Sequence, residues 1–246
     1  MTIYLLGKEP VFPPAQLAEP SGIIAVGGDL SPQRLLTAYA SGIFPWFSED
    51  DPLVWWSPDP RMIVQPGDLH ISESMQKLMK KNKYEITFDQ NFKGVIQQCA
   101  APRDGQPGTW ITPAMKKAYQ KLHRLGFAHS VEVWDKMVPC RTKRVLVGGL
   151  YGISLGKCFF GESMFSRRPN VSKLAFFALA QTLFKRGFLL LDCQLPTEHL
   201  KSLGAKEVSR EDFLALLQTG INSPSLIGKW DFPVYSPANH SKCKIS

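Results

Sequence analysis

The chain has 246 residues, of which 44% are hydrophobic and 20% are charged, a balance typical of a folded globular protein with a substantial core. Its 29 Lys and Arg residues outnumber its 21 Asp and Glu residues, and the net charge of +8 is compatible with a polyanionic partner without requiring one. Five cysteines without a C-x-x-C pair disfavour a zinc knuckle or a disulfide framework, and the longest apolar run, LAFFALA, is too short to cross a bilayer. We therefore expect a reducing, cytoplasmic setting and no membrane segment.

The N-terminal quarter contains one clear helix signal. GGDLSPQRLLTAYASG predicts a short helix with Ser31 as N-cap, Pro32 at the first helical position and Gly42 after its end. The following stretch, GIFPWFSEDDPLVWWSPDPR, has four prolines and is predicted to be too broken for a regular element. We expect residues 1–60 to form a small N-terminal lobe and residues 61–246 to form the main domain.

After residue 60 the periodicity becomes regular. A helix is predicted at ISESMQKLMKKNK, a strand at YEITFD and a second helix between Thr112 and Gly126. Strands at FAHSVEVW and RVLVGGLYGISLG flank a basic hairpin, KMVPCRTKR. The remaining predictions are a strand at KCFFGESMF, a buried helix at NVSKLAFFALAQTLFKRG, a central strand at FLLLDCQ, helices near TEHLKSLG and SREDFLALLQTG, and a disordered tail, SPANHSKCKIS. The pattern predicts an α+β fold around a mixed sheet.

Two predicted core strands carry acidic residues. The two-residue period of a strand places Phe160, Glu162 and Met164 on one face. The same period places Asp192 and Gln194 together at a strand end, with Cys193 opposite. A carboxylate beside a carboxamide could orient an amine or accept its proton. The structural alternatives are an ion pair of Glu162 with Arg167 or Arg168, and capping of the following helix by Asp192.

Aromatic and basic residues suggest contact with nucleic acid. Trp46 and Trp110 lie between turn-forming residues, where a base could stack on them, whereas core packing is the better interpretation for Trp55 and Trp56. A cluster of lysines lies at a predicted helix end: Lys77, Lys80, Lys81 and Lys83. They could bind phosphate groups, or they could simply form a solvated helix face.

Several common sites are missing from the sequence. The five histidines show no H-x-H or H-E-x-x-H spacing, so we predict no metal. The phosphate-binding loop of P-loop nucleotide enzymes and the pyrophosphate-binding loop of acetyl-CoA-dependent acetyltransferases are both absent from the sequence, so we predict no cofactor.

The motifs GGDLSP, GIFPWF, WWSPDPR, LHIS, GTWIT, AHSVEVW, GGLYGISLG, FFGESMFS and LDCQ occur in this order between about Gly22 and Gly204. In order and spacing they resemble leucyl/phenylalanyl-tRNA–protein transferases. The resemblance implies a GNAT-like (acetyltransferase-like) main domain and an enzyme that transfers leucine or phenylalanine from aminoacyl-tRNA to the N-terminal Arg or Lys of acceptor proteins, marking them for degradation. Methionine is a third candidate donor, and a monomer is expected.

The resemblance also implies roles for individual residues. Gln194, supported by Asp192, would orient the attacking amine and help deprotonate it, and Glu162 would hold the amino groups of donor or acceptor. The terminal adenosine would contact Trp46 and Trp110, and the lysine cluster would hold the tRNA acceptor stem. The aminoacyl side chain would occupy an apolar pocket formed by Leu150, Met164, Phe176, Leu179, Leu183 and Leu191.

Two other classes remain open on sequence alone. A small-molecule N-acetyltransferase is disfavoured by the missing pyrophosphate loop. A non-catalytic RNA-binding module would explain the charge and the tryptophans but not the acidic residues.

Overall fold

The computed structural model describes residues 2–102, 109–136 and 144–234, in which the chain forms two mixed sheets and seven α-helices. The strands are β1 (Tyr4–Leu6), β2 (Ile23–Gly27), β3 (Phe44–Pro45), β4 (Val54–Trp56), β5 (Arg61–Val64), β6 (Tyr84–Phe88), β7 (Ala128–Asp135), β8 (Val145–Leu155), β9 (Cys158–Ser166), β10 (Leu190–Gln194) and β11 (Lys206–Val208). The helices are α1 (Pro32–Ala40), α2 (Glu73–Lys80), α3 (Phe92–Cys99), α4 (Pro113–Arg124), α5 (Val171–Phe184), α6 (Glu198–Lys201) and α7 (Arg210–Ile221). Residues 137–143 of the predicted hairpin Lys136–Arg144, and the predicted tail, lie outside the described residues.

The smaller sheet is built from the N-terminal quarter, with strand order β1-β2-β4-β3. β1 runs parallel to β2, and the other neighbours are antiparallel. The prediction of an irregular stretch after Gly42 is therefore wrong, because β3 and β4 form within it. Trp55 explains how: its ring is fully buried and its Nε1 donates to the carbonyl of Gly27 at 2.9 Å, which fixes β4 against β2 despite the surrounding prolines.

The larger sheet has seven strands in the order β11-β5-β10-β9-β8-β7-β6. All of its neighbours are antiparallel except β9 and β10, which are parallel. One hydrophobic cluster joins one face of this sheet to α1, α3 and α4, and a second joins the opposite face to α2 and α5. The predicted combination of helices with a mixed sheet is confirmed.

Local signals account for the helices that frame the site. Ser31, Ser72 and Thr112 are N-caps whose side chains accept a hydrogen bond from the backbone three residues later, as the capping preference predicts. α5 is buried around most of its circumference, as its composition predicts.

Candidate active site

A cavity of about 210 Å³ lies where the parallel strands β9 and β10 separate. The two strands pair only over Leu190–Asp192 and Cys158–Phe160, after which β9 continues against β8 alone. Glu162, Asp192 and Gln194 all line this cavity. The structure therefore brings together the three polar residues that the sequence singled out.

A β-bulge at Glu162 brings this carboxylate into the cavity. Gly152 of β8 pairs with Gly161 and Tyr151 with Ser163, so Glu162 is the extra residue of β9. Gly152 suits the bulge because a Cβ there would lie 2.2 Å from the carbonyl oxygen of Phe160. The bulge also reverses the alternation of β9.

The prediction that Phe160, Glu162 and Met164 share one face is therefore wrong. Phe160 packs in the cluster with α1, α3 and α4, whereas Met164 packs against the cluster with α5. One inserted residue moves all later side chains of a strand to the other face.

Two tyrosine hydroxyls hold the Glu162 carboxylate. Tyr39 of α1 donates to Oε1 and Tyr119 of α4 donates to Oε2, each at 2.7 Å, and the two hydroxyls lie 2.5 Å apart. Gln194 Nε2 is 3.4 Å from Oε1. Burial raises the pKa of Glu162 to about 7, although the hydrogen bonds from Tyr39 and Tyr119 oppose the rise. The alternative ion pair is not formed, because Arg167 donates to Gln98 and Arg168 to the carbonyl of Arg167.

The surrounding tyrosines are neutral hydrogen-bond donors. Burial, reinforced by the charge of Glu162, raises the pKa values of Tyr39, Tyr119 and Tyr151 well above the ordinary value of tyrosine. Tyr151 also lines the cavity, and its buried hydroxyl has no hydrogen-bond partner in the described part of the chain.

Asp192 is held differently, in a fully buried ion pair. Arg61 Nε donates to Asp192 Oδ1 at 2.8 Å and Arg61 Nη2 to Oδ2 at 2.7 Å. The Arg61 guanidinium also lies over the rings of Phe44 and Phe213, at 4.8 and 4.5 Å from their centroids. Asp192 does not cap the following helix, whose N-cap is Thr197.

The predicted alternation of β10 fails at its last residue. Gln194 has a φ of +62°, and the register against β5 shifts between Asp192 and Gln194. Its backbone N–H donates to Asp192 Oδ1 at 2.9 Å, which stabilises this left-handed conformation. Consequently Cys193, which was expected opposite, lines the cavity together with Asp192 and Gln194. Burial raises the pKa of the Cys193 thiol, which disfavours the thiolate form that a nucleophile requires.

Five of the six predicted pocket residues line the apolar part of the cavity: Leu150, Met164, Phe176, Leu179 and Leu191. Leu183 is buried in the same cluster but is not among the lining residues. The family resemblance had implied Leu183, but this residue lies one further turn along α5 from Leu179. Phe159 lines the cavity and was not predicted, because its position opposite Leu191 depends on the pairing of β9 with β10, which the sequence does not reveal.

The other predicted site residues lie outside this cavity lining. Trp46 is 38% exposed and packs against Trp56, and Trp110 is half-buried beside the cluster that contains α1 and α4. Lys77, Lys80 and Lys81 are exposed, whereas Lys83 is half-buried, 4.0 Å from Asp135. Lys77 and Lys80 lie in the last turn of α2 and Lys81 and Lys83 follow it; α2 packs on the opposite face of the large sheet.

Within residues 2–102, 109–136 and 144–234, no group of three or more His, Cys, Asp or Glu side chains is arranged to hold a metal ion. None of the helices in this part of the chain is long and apolar enough to cross a bilayer.

Comparison with known proteins adds a family to this geometry. The family model described as leucyl/phenylalanyl-tRNA protein transferase matches residues 63–218, and the model of the N-terminal domain of these proteins matches residues 28–59. A leucyl/phenylalanyl-tRNA–protein transferase of Anaeromyxobacter sp. (strain Fw109-5) is 52% identical over 94% of this chain and 96% of its own length. Another, of Maridesulfovibrio salexigens, is 54% identical over 94% of this chain and 95% of its own length. A solved structure titled "The structure of L-PGS from Bacillus licheniformis" has a TM-score of 0.42 and 9% identity over 81% of this chain and 73% of that chain, a similarity that supports no further argument.

Proposed function

Because this chain belongs to the leucyl/phenylalanyl-tRNA–protein transferase family, we propose that its cavity is where an aminoacyl group passes from tRNA to a protein. The donor is leucyl- or phenylalanyl-tRNA, with methionyl-tRNA as a third candidate, and the acceptor is a protein with N-terminal Arg or Lys, which the added residue marks for degradation. The observation that carries the proposal is the position of the apolar part of the cavity, here called the apolar cup, directly beside Glu162 and Gln194.

The apolar cup suits the side chain of the donor amino acid. Leu150, Phe159, Met164, Phe176 and Leu179 are supplied by β8, β9 and α5. Burying an aliphatic or aromatic side chain among them contributes about 1.5–3 kcal/mol. The unbranched thioether of Met164 can adjust to either shape.

Glu162 is the group that best suits the cationic acceptor. Its carboxylate is held by two hydroxyl donors and keeps lone pairs for an ammonium or guanidinium group. Pairing with that cation stabilises the charged form, which burial otherwise disfavours.

Gln194 orients the attacking α-amine, and Asp192 supports Gln194 rather than contacting the substrate. Asp192 is fully buried, and its oxygens already accept from Arg61 and from the backbone of Gln194. It is therefore a positioning residue. Since an aminoacyl ester is already activated, holding the amine and the ester together supplies much of the acceleration.

The remaining expectations belong to the same proposal. Trp46 and Trp110 stack on the donor's terminal adenosine, and Lys77, Lys80, Lys81 and Lys83 contact its acceptor stem. We further propose that residues 1–60 act as a small lobe on a GNAT-like domain of residues 61–246. The enzyme works as a cytoplasmic monomer without a cofactor.

The proposal is tested by incubating the protein with leucyl-tRNA and a peptide that begins with arginine. The expected product is the same peptide extended by leucine, and a peptide that begins with glutamate is the control that should remain unchanged. Tight acetyl-CoA binding with acetylation of an amine would instead indicate an acetyltransferase. Binding of tRNA without any extended peptide would indicate a non-catalytic RNA-binding module.

A further inference from the structure

An uncompensated basic surface covers α3 and α4. These two helices carry five Lys and Arg side chains and no Asp or Glu. The rest of the chain has 24 Lys and Arg residues and 21 Asp and Glu residues, so its excess of positive charge is small. Three of the five, Lys117, Lys121 and Arg124, are exposed on α4; we call them the α4 stripe.

Helix stability does not account for the α4 stripe. Its members follow one another at i, i+4 and i+7, and like charges at such spacings destabilise a helix. Lys121 and Arg124 lie in the last turn, where the helix dipole favours cations, but Lys117 does not. Among the described residues, none of the three forms an ion pair with a carboxylate. A phosphate-bearing partner would offset this repulsion.

The α4 stripe lies on the same helix as a residue of the active site. Tyr119 is fully buried on the opposite side of α4 and donates to Glu162 at 2.7 Å. A helix with its side chains is about 10–12 Å across, so the α4 stripe lies within a few nucleotides' reach of the cavity. Trp110 stands three residues before the start of α4.

The α4 stripe and the lysines at the end of α2 lie on opposite faces of the large sheet. Trp110 packs on the cluster that α4 shares with α1, and Trp46 contacts Trp56, which packs on the same cluster. Met75 and Met79 of α2 belong to the cluster on the other face. An RNA whose end meets the two tryptophans would therefore approach from the face of the large sheet that carries α4.

We propose that the α4 stripe docks the phosphate backbone of the donor tRNA. The proposal rests on the proposed function in one respect, namely that the donor is a tRNA. The α4 stripe extends over eight residues, from Lys117 to Arg124, a rise of about 10 Å along the helix, which matches about three successive phosphates.

The test compares two triple variants of the full chain that lose the same charge. The variant Lys117→Gln/Lys121→Gln/Arg124→Gln removes the α4 stripe, and Lys8→Gln/Lys185→Gln/Lys206→Gln removes three scattered surface charges. Binding of uncharged tRNA is measured between 50 and 200 mM salt, together with KM for leucyl-tRNA and transfer from 3′-leucyl-adenosine. Unchanged thermal unfolding confirms that both variants fold.

Removal of the α4 stripe should flatten the salt dependence of tRNA binding. Loss of about three phosphate contacts reduces the affinity lost between 50 and 200 mM salt by roughly 20- to 40-fold relative to wild type. KM for leucyl-tRNA should rise, and transfer from leucyl-adenosine should stay at the wild-type rate. The variant Lys117→Arg/Lys121→Arg, which keeps the charges, should bind tRNA as wild type does.

Three results would overturn the proposal. One is equal salt dependence in the α4 and scattered variants, and a second is an equal loss of transfer from leucyl-adenosine, which would indicate displacement of Tyr119. The third is loss of binding to phosphatidylserine vesicles with tRNA binding unchanged, which would assign the α4 stripe to a lipid surface. If the unaltered protein transferred leucine from neither donor, the proposed function would fail. The measurements of tRNA binding would still test whether the α4 stripe binds tRNA.

Discussion

Removal of the Asp192 carboxylate should lower the stability of the fold as well as the rate of transfer. Asp192→Ala leaves the Arg61 guanidinium fully buried between Phe44 and Phe213 with no carboxylate partner. Breaking a buried ion pair on one side typically costs about 3–5 kcal/mol, a large part of the roughly 5–15 kcal/mol that stabilises a folded domain. For a chain of this size the melting temperature should fall by roughly 6–20 °C.

A double variant separates stability from catalysis. Arg61→Met/Asp192→Leu replaces both charges with apolar groups, and such replacements are often neutral or stabilising, so most of the lost stability should return. Transfer should nevertheless stay about 100-fold below wild type, because no carboxylate accepts the backbone N–H of Gln194 and the carboxamide is no longer held in place.

The measurements are thermal and urea unfolding of each variant, followed by leucine transfer to an arginine peptide at a temperature where all variants are folded. Arg144→Ala is the control, since it removes an exposed ion pair with Glu85 and should change the free energy of unfolding by about 0–1 kcal/mol. The reasoning fails if Asp192→Ala is as stable as Arg144→Ala, or if the double variant transfers leucine at the wild-type rate.

Three further variants test the cavity and its rim. Glu162 has a pKa of about 7 in the folded protein against a model-peptide value near 4.5, so the folded state binds more protons in this window and stability should fall as pH rises through it. In Glu162→Gln that fall, measured by urea unfolding at pH 5 and pH 8, should shrink by about 2.5 kcal/mol; an unchanged pH dependence would contradict the assignment. Leu179→Phe narrows the apolar cup and should reduce kcat/KM for phenylalanyl-tRNA by roughly 10- to 200-fold more than for leucyl-tRNA. The control Leu179→Met should change kcat/KM little for either donor. Equal losses for both donors in Leu179→Phe would contradict the assignment of the apolar cup to the donor side chain. Trp46→Ala should raise KM for leucyl-tRNA by roughly 5- to 150-fold with kcat unchanged. The control Trp46→Phe, which keeps an aromatic ring, should raise KM less. An unaltered KM in Trp46→Ala would contradict stacking of the terminal adenosine on Trp46.

The sequence predicted most elements of the large sheet because their periodicity is local. Strand β8 and helices α1, α4 and α5 lie where alternation and capping residues placed them. Strands β3 and β4 were not predicted because the prolines around them indicate an irregular segment. They form because Trp55 is buried and its Nε1 donates to the carbonyl of Gly27, a contact that the sequence does not reveal.

The details of the active site were less predictable because they depend on contacts between distant segments. Nothing in FFGESMF marks a bulge, since Glu162 fits a regular strand equally well. The periodicity of α4 predicts that Tyr119 is buried, but not that its hydroxyl meets a carboxylate of β9. Likewise Arg61 and Asp192 are 131 residues apart, and no local signal pairs them.

Because β9 and β10 separate early, the sheet gives up hydrogen bonds between them and gains the space of the cavity. A substitution that straightened the backbone at Glu162, or returned Gln194 to an extended conformation, would let the two parallel strands continue their hydrogen bonding beyond Asp192. The sheet would gain a longer ladder and lose the space between its strands. Selection for a more heat-resistant variant of this protein would therefore tend to close the gap that we propose as the site of aminoacyl transfer.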